Sequence, residues 1–290
     1  MTRSNMKGKI CLVTGSSSGI GKASVVELAK KGATVVMICR NRKKGEAVRT
    51  EIKEANKDAK VDLIIADLSE LSQVHRAAKE FKEKYSQLHV LVNNAGGINS
   101  DRKVTPDGFE YTFATNYLAS FLLTDLLLDT LKASSPSRII NVSSTGHKMG
   151  TGTINFDDLQ TERKYNYTVA YAQSKLALIF FTYELAERLK SSGVTVNTLH
   201  PGAVNSGFNN GFKGIARLSV GIMYAITGIS AEKGAETILY LATSSEVEGV
   251  SGKYFINKKA VPSSKTSYDP DIRQRLWKVT EGMMEQHNYA

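Results

Sequence analysis

Tyr171 and Lys175 stand four residues apart in the run Tyr171-Ala172-Gln173-Ser174-Lys175. The surrounding stretch has helical period, so this spacing puts a phenol and an ammonium on one helix face. A free phenol, with a pKa of about 10, is a poor acid–base group at neutral pH. An adjacent ammonium favours the phenolate, and the pair can then give a proton to a carbonyl being reduced or take one from an alcohol. The pattern alone is cheap, because Tyr254-x-x-x-Lys258 also occurs. If Tyr254 lies on a strand, its lysine is about 13 Å away, too far to act on the phenol.

Other polar groups fall where they can assist. The apolar run 138–142 reads as a strand that delivers Ser143 and Ser144 to its C-terminal end, the end at which ligands bind in open α/β sheets. A serine hydroxyl there can polarise a carbonyl. Adjacent strand residues face opposite sides, so spacing leaves both serines open. The strand at 90–92 ends in Asn93-Asn94-Ala95-Gly96-Gly97, small residues with room for a dinucleotide. Asn116 interrupts an apolar helical stretch, where an amide is costly unless bonded; it reads either as the anchor of a proton-relay water or as a helix kink.

A second group of residues suits phosphates. The strand at 9–13 runs into Thr14-Gly15-Ser16-Ser17-Ser18-Gly19-Ile20-Gly21 and then a helix. Gly15 allows the tight turn, Gly19 the approach of backbone to a pyrophosphate, and Gly21 close packing of helix on strand. The helix N-terminus offers unpaired N–H groups and the positive end of its dipole. Selectivity between NAD and NADP is set at the end of the second strand, where an acid holds a ribose 2′-hydroxyl. Here the sequence is Cys39-Arg40-Asn41-Arg42-Lys43-Lys44; the acid is missing and a guanidinium stands ready for the 2′-phosphate of NADP. Asp67 follows the third strand and suits either an adenine amino group or a helix cap near Glu70.

These groups need a scaffold that brings strand ends together. Short β-branched runs at 9–13, 34–39, 61–66, 90–92, 138–142 and 194–199 alternate with helical stretches at 20–31, 43–55, 72–85, 109–131 and 170–190. That order predicts an α/β fold, a doubly wound parallel sheet with helices on both faces. One domain is expected over 1–290, with an excursion from the sheet at about 203–230 and a helical tail at about 270–290. A last strand is expected at 254–256. The apolar faces of the two long helices suggest a homodimer.

Composition narrows the class. Of 290 residues, 41% are hydrophobic and 23% charged, ordinary for a soluble globular protein. The two cysteines, Cys11 and Cys39, lie in apolar runs and read as free core residues in a reducing compartment. The histidines lack zinc-ligand spacing, so no metal is expected. The net charge of +10 comes from scattered lysines and arginines, which reads as a solvated basic surface rather than a nucleic-acid face. About eight residues precede the first strand-like run and no run approaches the ~20 apolar residues of a membrane span, so a cytoplasmic protein without a transmembrane anchor is expected. The apolar segment 215–229 reads as a substrate lid hinged on glycines. Helped by the basic balance, it also reads as a peripheral membrane contact, too short and too broken by Arg217 and Gly221 to span.

Taken in order, Thr14–Gly21, Asp67, Asn93–Gly96, Asn116, Asn141–Ser144, Tyr171–Lys175 and Pro201-Gly202 resemble the motifs of the short-chain dehydrogenase/reductases, over nearly the whole chain. The resemblance implies a Rossmann-type oxidoreductase with a catalytic tetrad of Asn116, Ser144, Tyr171 and Lys175, and so selects Ser144 from the serine pair. It implies an NADP(H) site on Gly15, Ser17, Ser18, Gly19, Ile20 and Gly21, with Arg40, Asp67 and Leu68 at the adenosine end. Asn94, Ala95 and Gly96 follow, and Tyr171, Lys175, Pro201, Gly202 and Val204 surround the nicotinamide ribose and ring. Within the family the chain is most similar to the retinol dehydrogenase group, through Ile38-Cys39-Arg40, 155–160, 200–204, 251–255, Arg275-Leu276-Trp277 and the long interval from Ser144 to Tyr171. That implies a small hydrophobic aldehyde, ketone or alcohol as substrate. A silent NADP-binding regulator or scaffold would have little need for Tyr171 beside Lys175. The sugar epimerase and dehydratase branch of the fold would have another glycine spacing and a longer substrate domain.

Overall fold

The computed structural model describes residues 5–204 and 228–287. A single sheet of eight strands runs through it: β1 (Ile10–Thr14), β2 (Thr34–Cys39), β3 (Val61–Ile65), β4 (Val90–Asn93), β5 (Ser137–Val142), β6 (Val194–His200), β7 (Tyr254–Ile256) and β8 (Lys259–Val261). Their order across the sheet is β3-β2-β1-β4-β5-β6-β7-β8. Neighbours are parallel except β7 and β8. Each strand of the expected parallel set is present, shifted by about one residue at some ends. The antiparallel β8 has no counterpart in the sequence pattern. Asn257 and Lys258, both at positive φ, make the tight turn that joins β7 to β8.

The helices are α1 (Gly19–Lys30), α2 (Arg42–Ala55), α3 (Leu71–Lys84), α4 (Tyr111–Phe113), α5 (Ala119–Leu126), α6 (Leu128–Ala133), α7 (Tyr167–Arg188), α8 (Ala231–Thr243) and α9 (Pro270–Glu285). The sheet is apolar on both faces because both are covered. Leu12, Val36, Ile64, Leu91, Ile139 and Val196 share one core with Val74 and Phe81 of α3, Leu122 of α5 and Leu176 of α7. Cys11, Val13, Val35, Met37, Val92 and Ile140 share the other with Val25 and Leu28 of α1, Val48 of α2 and Ile238 of α8. Both cysteines are free and buried, and burial pushes the Cys11 thiol up to about 12.

Two expectations need correction. The stretch 109–131 is not one helix: a π-turn at Ala114–Leu118 separates α4 from α5, and Leu127 breaks α5 from α6. The π-turn carries Asn116. The apolar faces offered as a reason for a homodimer are not open either. The C-terminal helix α9 lies on them: Trp277 stacks at 5.8 Å on Phe181 of α7 and sits edge-on at 5.0 Å to Phe121 of α5. Arg188 covers Trp277 at 4.1 Å, and the Tyr117 and Thr280 hydroxyls bond at 2.7 Å. Among the described residues, no helix is long and apolar enough to cross a membrane and no cluster could hold a metal ion.

Candidate active site

Because β1 leads outward to β2 and β3 on one side and β4 begins the other side, the C-terminal ends of β1 and β4 open a crevice between them. Gly15 occupies it with φ +66, and a side chain there would press to 2.9 Å on Ala95 Cα. At Gly21 a side chain would collide with the Gly15 carbonyl and lie 2.6 Å from Asn94 Nδ2. Gly19 also has positive φ, +52. Ser18 is the N-cap of α1, yet its side chain makes no cap bond and the first turn holds no acid. That helix end is left with its orphan N–H groups facing the turn. The Ser16 hydroxyl is committed to Ile38 O at 3.2 Å, and Ile20 packs toward Gly234 of α8.

Thr14, which the sequence left without a role, ties the two strand ends together. Its Oγ1 accepts from Asn94 N and Ala95 N, both at 2.9 Å, and donates to Val92 O at 3.3 Å. The Asn94 amide donates to Thr14 O at 2.8 Å. The Asn94 side chain therefore builds the crevice wall.

At the far end, Arg40 Nη1 reaches Asp67 Oδ2 at 3.3 Å and Tyr111 OH at 2.8 Å. The other Asp67 oxygen accepts from Ser69 N at 3.0 Å and Ser69 Oγ at 2.8 Å. Helix α3 is not capped by Asp67; Asp107 Oδ2 accepts from Leu71 N at 2.9 Å. The Leu68 side chain belongs to the core.

Asn116 is fully buried and fully bonded, which answers the cost of an amide in an apolar stretch. Its Oδ1 accepts from Gly97 N at 2.8 Å. Its Nδ2 donates to Gly97 O at 3.0 Å and to Ser174 Oγ at 2.9 Å, and Ser174 donates on to Tyr171 O at 2.8 Å. The π-turn thus joins the β4 loop to the first turns of α7; π-turns occur often at functional sites. A side chain at Gly96 would lie 2.6 Å from Asn116 Oδ1 and 3.3 Å from Lys175 Nζ.

The two serines part at the end of β5. Ser143 is buried, and its hydroxyl donates to Lys175 O at 2.9 Å. Ser144 is partly open, and its Oγ accepts from Gly146 N at 3.0 Å. Gly146 lies between Ser144 and Tyr171: a side chain on it would be 3.3 Å from Ser144 Oγ and 2.8 Å from Tyr171 Cε1. Tyr171 and Lys175 do share a face of α7. Lys175 is 5% exposed, with Nζ 5.9 Å from the Tyr171 ring centre and donating to Val142 O at 2.9 Å. Burial lowers the Lys175 pKa to about 8.

Two histidines, unassigned by sequence, bond the Ser144 turn at adjacent residues. His147 Nδ1 contacts Ser144 O at 2.5 Å while its Nε2 accepts from Ser264 N at 3.1 Å, which places the proton on Nδ1. His200 Nδ1 accepts from Thr145 N at 3.3 Å. Tyr254 is also missed. It lies on β7 as the sequence suggested, and the Lys258 ammonium bonds Glu236 at 3.1 Å. Its buried ring nevertheless stands edge-on to His147 at 5.2 Å, and its hydroxyl has no partner among the described residues. The sequence signal for the two histidines was their proximity to the Ser-Ser and His-Pro-Gly motifs, and that for Tyr254 its place in the 254–256 strand.

Pro201 and Gly202 follow β6, with Gly202 at φ +95 and packed against Ile229. Val204 pairs with Ile229 in a parallel bridge and packs on Gly234, so the two ends of the 203–230 excursion meet. The lid and membrane-contact expectations for 215–229 fall almost wholly on residues outside those described.

A doubly wound sheet with a glycine turn at its switch point, and a tyrosine, lysine, serine and asparagine around the next strand ends, is the architecture of short chain dehydrogenases. The chain belongs to that family, whose model matches residues 9–213. Among its relatives, retinol dehydrogenase 13 of Homo sapiens is 41% identical over 281 residues, covering 95% of this chain and 84% of the human protein. Retinol dehydrogenase 14 of Homo sapiens is 41% identical over 296 aligned positions, covering 96% and 87%. A crystal structure of a protein from Mycobacterium Paratuberculosis is similar at a TM-score of 0.76 and 30% identity, covering 97% of this chain and 95% of that one.

Proposed function

We propose that this protein is an NADP(H)-dependent oxidoreductase that interconverts a hydrophobic aldehyde or ketone and its alcohol. One observation carries the reading: Ser144 Oγ and the Tyr171 ring flank Gly146 while the buried Lys175 ammonium lies behind the same ring. The residues present suit a dinucleotide. Gly15, Gly21 and Gly96 leave space that a side chain would fill, and the uncapped N-terminus of α1 suits a pyrophosphate. Arg40 supplies the cation for a 2′-phosphate. When bound, the nicotinamide supplies or accepts the hydride.

The chain's own residues manage the proton. Ser144 Oγ uses acceptor capacity on Gly146 N–H, which leaves its O–H to donate to a substrate oxygen. Tyr171 gives a proton to that oxygen in reduction and takes it back in oxidation. Lys175, fixed by Val142 O, stabilises the charge left on the phenol oxygen and keeps further N–H donors for the nicotinamide ribose. Asn116 and Ser174 hold the start of α7 in place through the Tyr171 carbonyl.

The names of the human relatives support a lipophilic alcohol such as retinol as the substrate class. Our reading includes a cytoplasmic protein with peripheral membrane contact through 215–229, which co-sedimentation with anionic vesicles checks. A screen of NADPH and NADH oxidation across retinal, medium-chain aldehydes, steroids and small dicarbonyls tests the main claim. Turnover of a lipophilic carbonyl with higher kcat/KM for NADPH is expected. No turnover of any carbonyl, or a strong NADH preference, would overturn it.

A further inference from the structure

We propose that Tyr111 determines cofactor specificity by fixing Arg40 in the orientation that receives a 2′-phosphate. The proposal rests on the reading of Arg40 as the partner of that phosphate.

Arg40 stands just beyond the end of β2, and its side chain is 66% exposed. An arginine so placed would ordinarily sample many rotamers and lose that freedom on binding. Here one end of the guanidinium is pinned. Nη1 carries two hydrogens, and it has two acceptors: Tyr111 OH at 2.8 Å and Asp67 Oδ2 at 3.3 Å. The Nε and Nη2 donors hold no hydrogen bond among the described residues. Those two groups form the side edge of the guanidinium, a parallel fork that matches the oxygens of a phosphate. Pinning Nη1 therefore selects which edge stays free, and it removes part of the ordering cost that an anion would otherwise have to meet.

The pin itself is held from three elements. Tyr111 opens α4, where the buried Glu110 carboxylate accepts from Thr112 N at 2.9 Å and Phe113 N at 2.8 Å. The Tyr111 N–H donates to Lys103 O at 3.0 Å. Asp67 is fixed after β3 by its two bonds to Ser69.

Charge explains why a phenol serves here. A second carboxylate on Nη1, added to Asp67, would orient Arg40 equally well but would make the group net negative and repel a phosphate. A phenol hydroxyl accepts the hydrogen bond without adding formal charge. The Lys103 ammonium lies 6.0 Å from the centre of the same ring, so a second cation stands beside the Arg40–Asp67 pair.

The test is binding rather than turnover. Dissociation constants for NADP+, NAD+ and adenosine 2′,5′-bisphosphate are measured by calorimetry for wild type, Tyr111→Phe, Arg40→Ala and the double variant. The phenylalanine keeps the ring and its packing, and a matched melting temperature confirms folding. Tyr111→Phe should weaken NADP+ and the bisphosphate by about 3–10-fold, the scale of one ordinary hydrogen bond, with NAD+ changed by less than about 2-fold. Without Arg40, removing the hydroxyl should change nothing further, because the two residues act as one unit. Equal losses for NADP+ and NAD+, or the full Tyr111→Phe effect in the absence of Arg40, would overturn the proposal. If Arg40→Ala abolishes the NADP+ preference and Tyr111→Phe leaves it intact, this proposal falls and the reading of Arg40 stands. If Arg40→Ala leaves the preference unchanged, both fall.

Discussion

The Lys175 ammonium donates to the carbonyl oxygen of Val142 at 2.9 Å, so the last residue of β5 holds the lysine of α7 in place. The main chain that delivers Ser144 to the crevice also anchors the charge behind Tyr171. Together with the Ser143 hydroxyl on Lys175 O, this bond ties the strand end to the helix.

The anchor has a thermodynamic cost. Burial lowers the Lys175 pKa from 10.5 to about 8, whereas the unfolded chain keeps its proton to about 10.4. Between those values the unfolded state binds more protons, so the lysine's contribution makes stability rise with pH across that window. Lys175→Met should abolish turnover yet raise the unfolding free energy at pH 7 by about 1–2 kcal/mol, the desolvation relieved less the bond lost by Val142 O. Urea unfolding at pH 7 and pH 10 checks this: the advantage should shrink at the higher pH. A variant less stable than wild type at pH 7 would contradict it.

The two serines should separate cleanly. Ser143 bonds Lys175 O in the interior, and Ser144 faces the crevice. Ser143→Ala should cost about 1 kcal/mol of stability with a modest change in kcat. Ser144→Ala should lower kcat by about 10²–10³-fold with little change in stability, as for loss of one donor to a developing oxyanion. Paired denaturation and steady-state kinetics distinguish these outcomes.

Acid should loosen the turn that carries Ser144. Burial lowers the His147 pKa, and burial together with His147 pushes His200 down to about 4. Both folded values lie below the unfolded value of about 6.5, so their contribution is present above that pH and is lost as pH falls toward 4. The urea midpoint of wild type should fall over this range, and His200→Asn should flatten the fall. Parallel curves for the two proteins would show that His200 is not responsible.

Helix α9 should be integral to the fold. Trp277→Ala would remove the ring between Phe121, Phe181 and Arg188 at a cost of about 3–5 kcal/mol, read as a lower urea midpoint. The same variant bares the apolar faces of α5 and α7, so sedimentation should show association above that of wild type. Unchanged stability would mean that α9 is only peripheral.

Strand positions and the parallel class were legible because buried parallel strands are almost wholly apolar and are punctuated by glycine turns. The phosphate turn was legible from its glycine spacing between strand and helix, whereas Ser144 was chosen over Ser143 only through the family resemblance. What was not legible depends on contacts across long separations. Thr14 looks like any strand-end threonine until Asn94 and Ala95 are brought to it. His147 gains its tautomer only from Ser264, more than a hundred residues later. The break in 109–131 comes from the bonding of Asn116 to Gly97 and Ser174, which local helix period does not encode. The cover over the long helices comes from α9, at the other end of the chain.

Tyr171→Phe tests the central claim most directly, because it removes one oxygen and leaves the ring against Gly146. Dissociation constants for NADPH and single-turnover rates with a lipophilic aldehyde should be measured on the same preparation. The account predicts turnover reduced by at least about 10³-fold, within the scale of general acid–base catalysis, with NADPH affinity unchanged within about 2-fold. Turnover retained at near wild-type rate would contradict it.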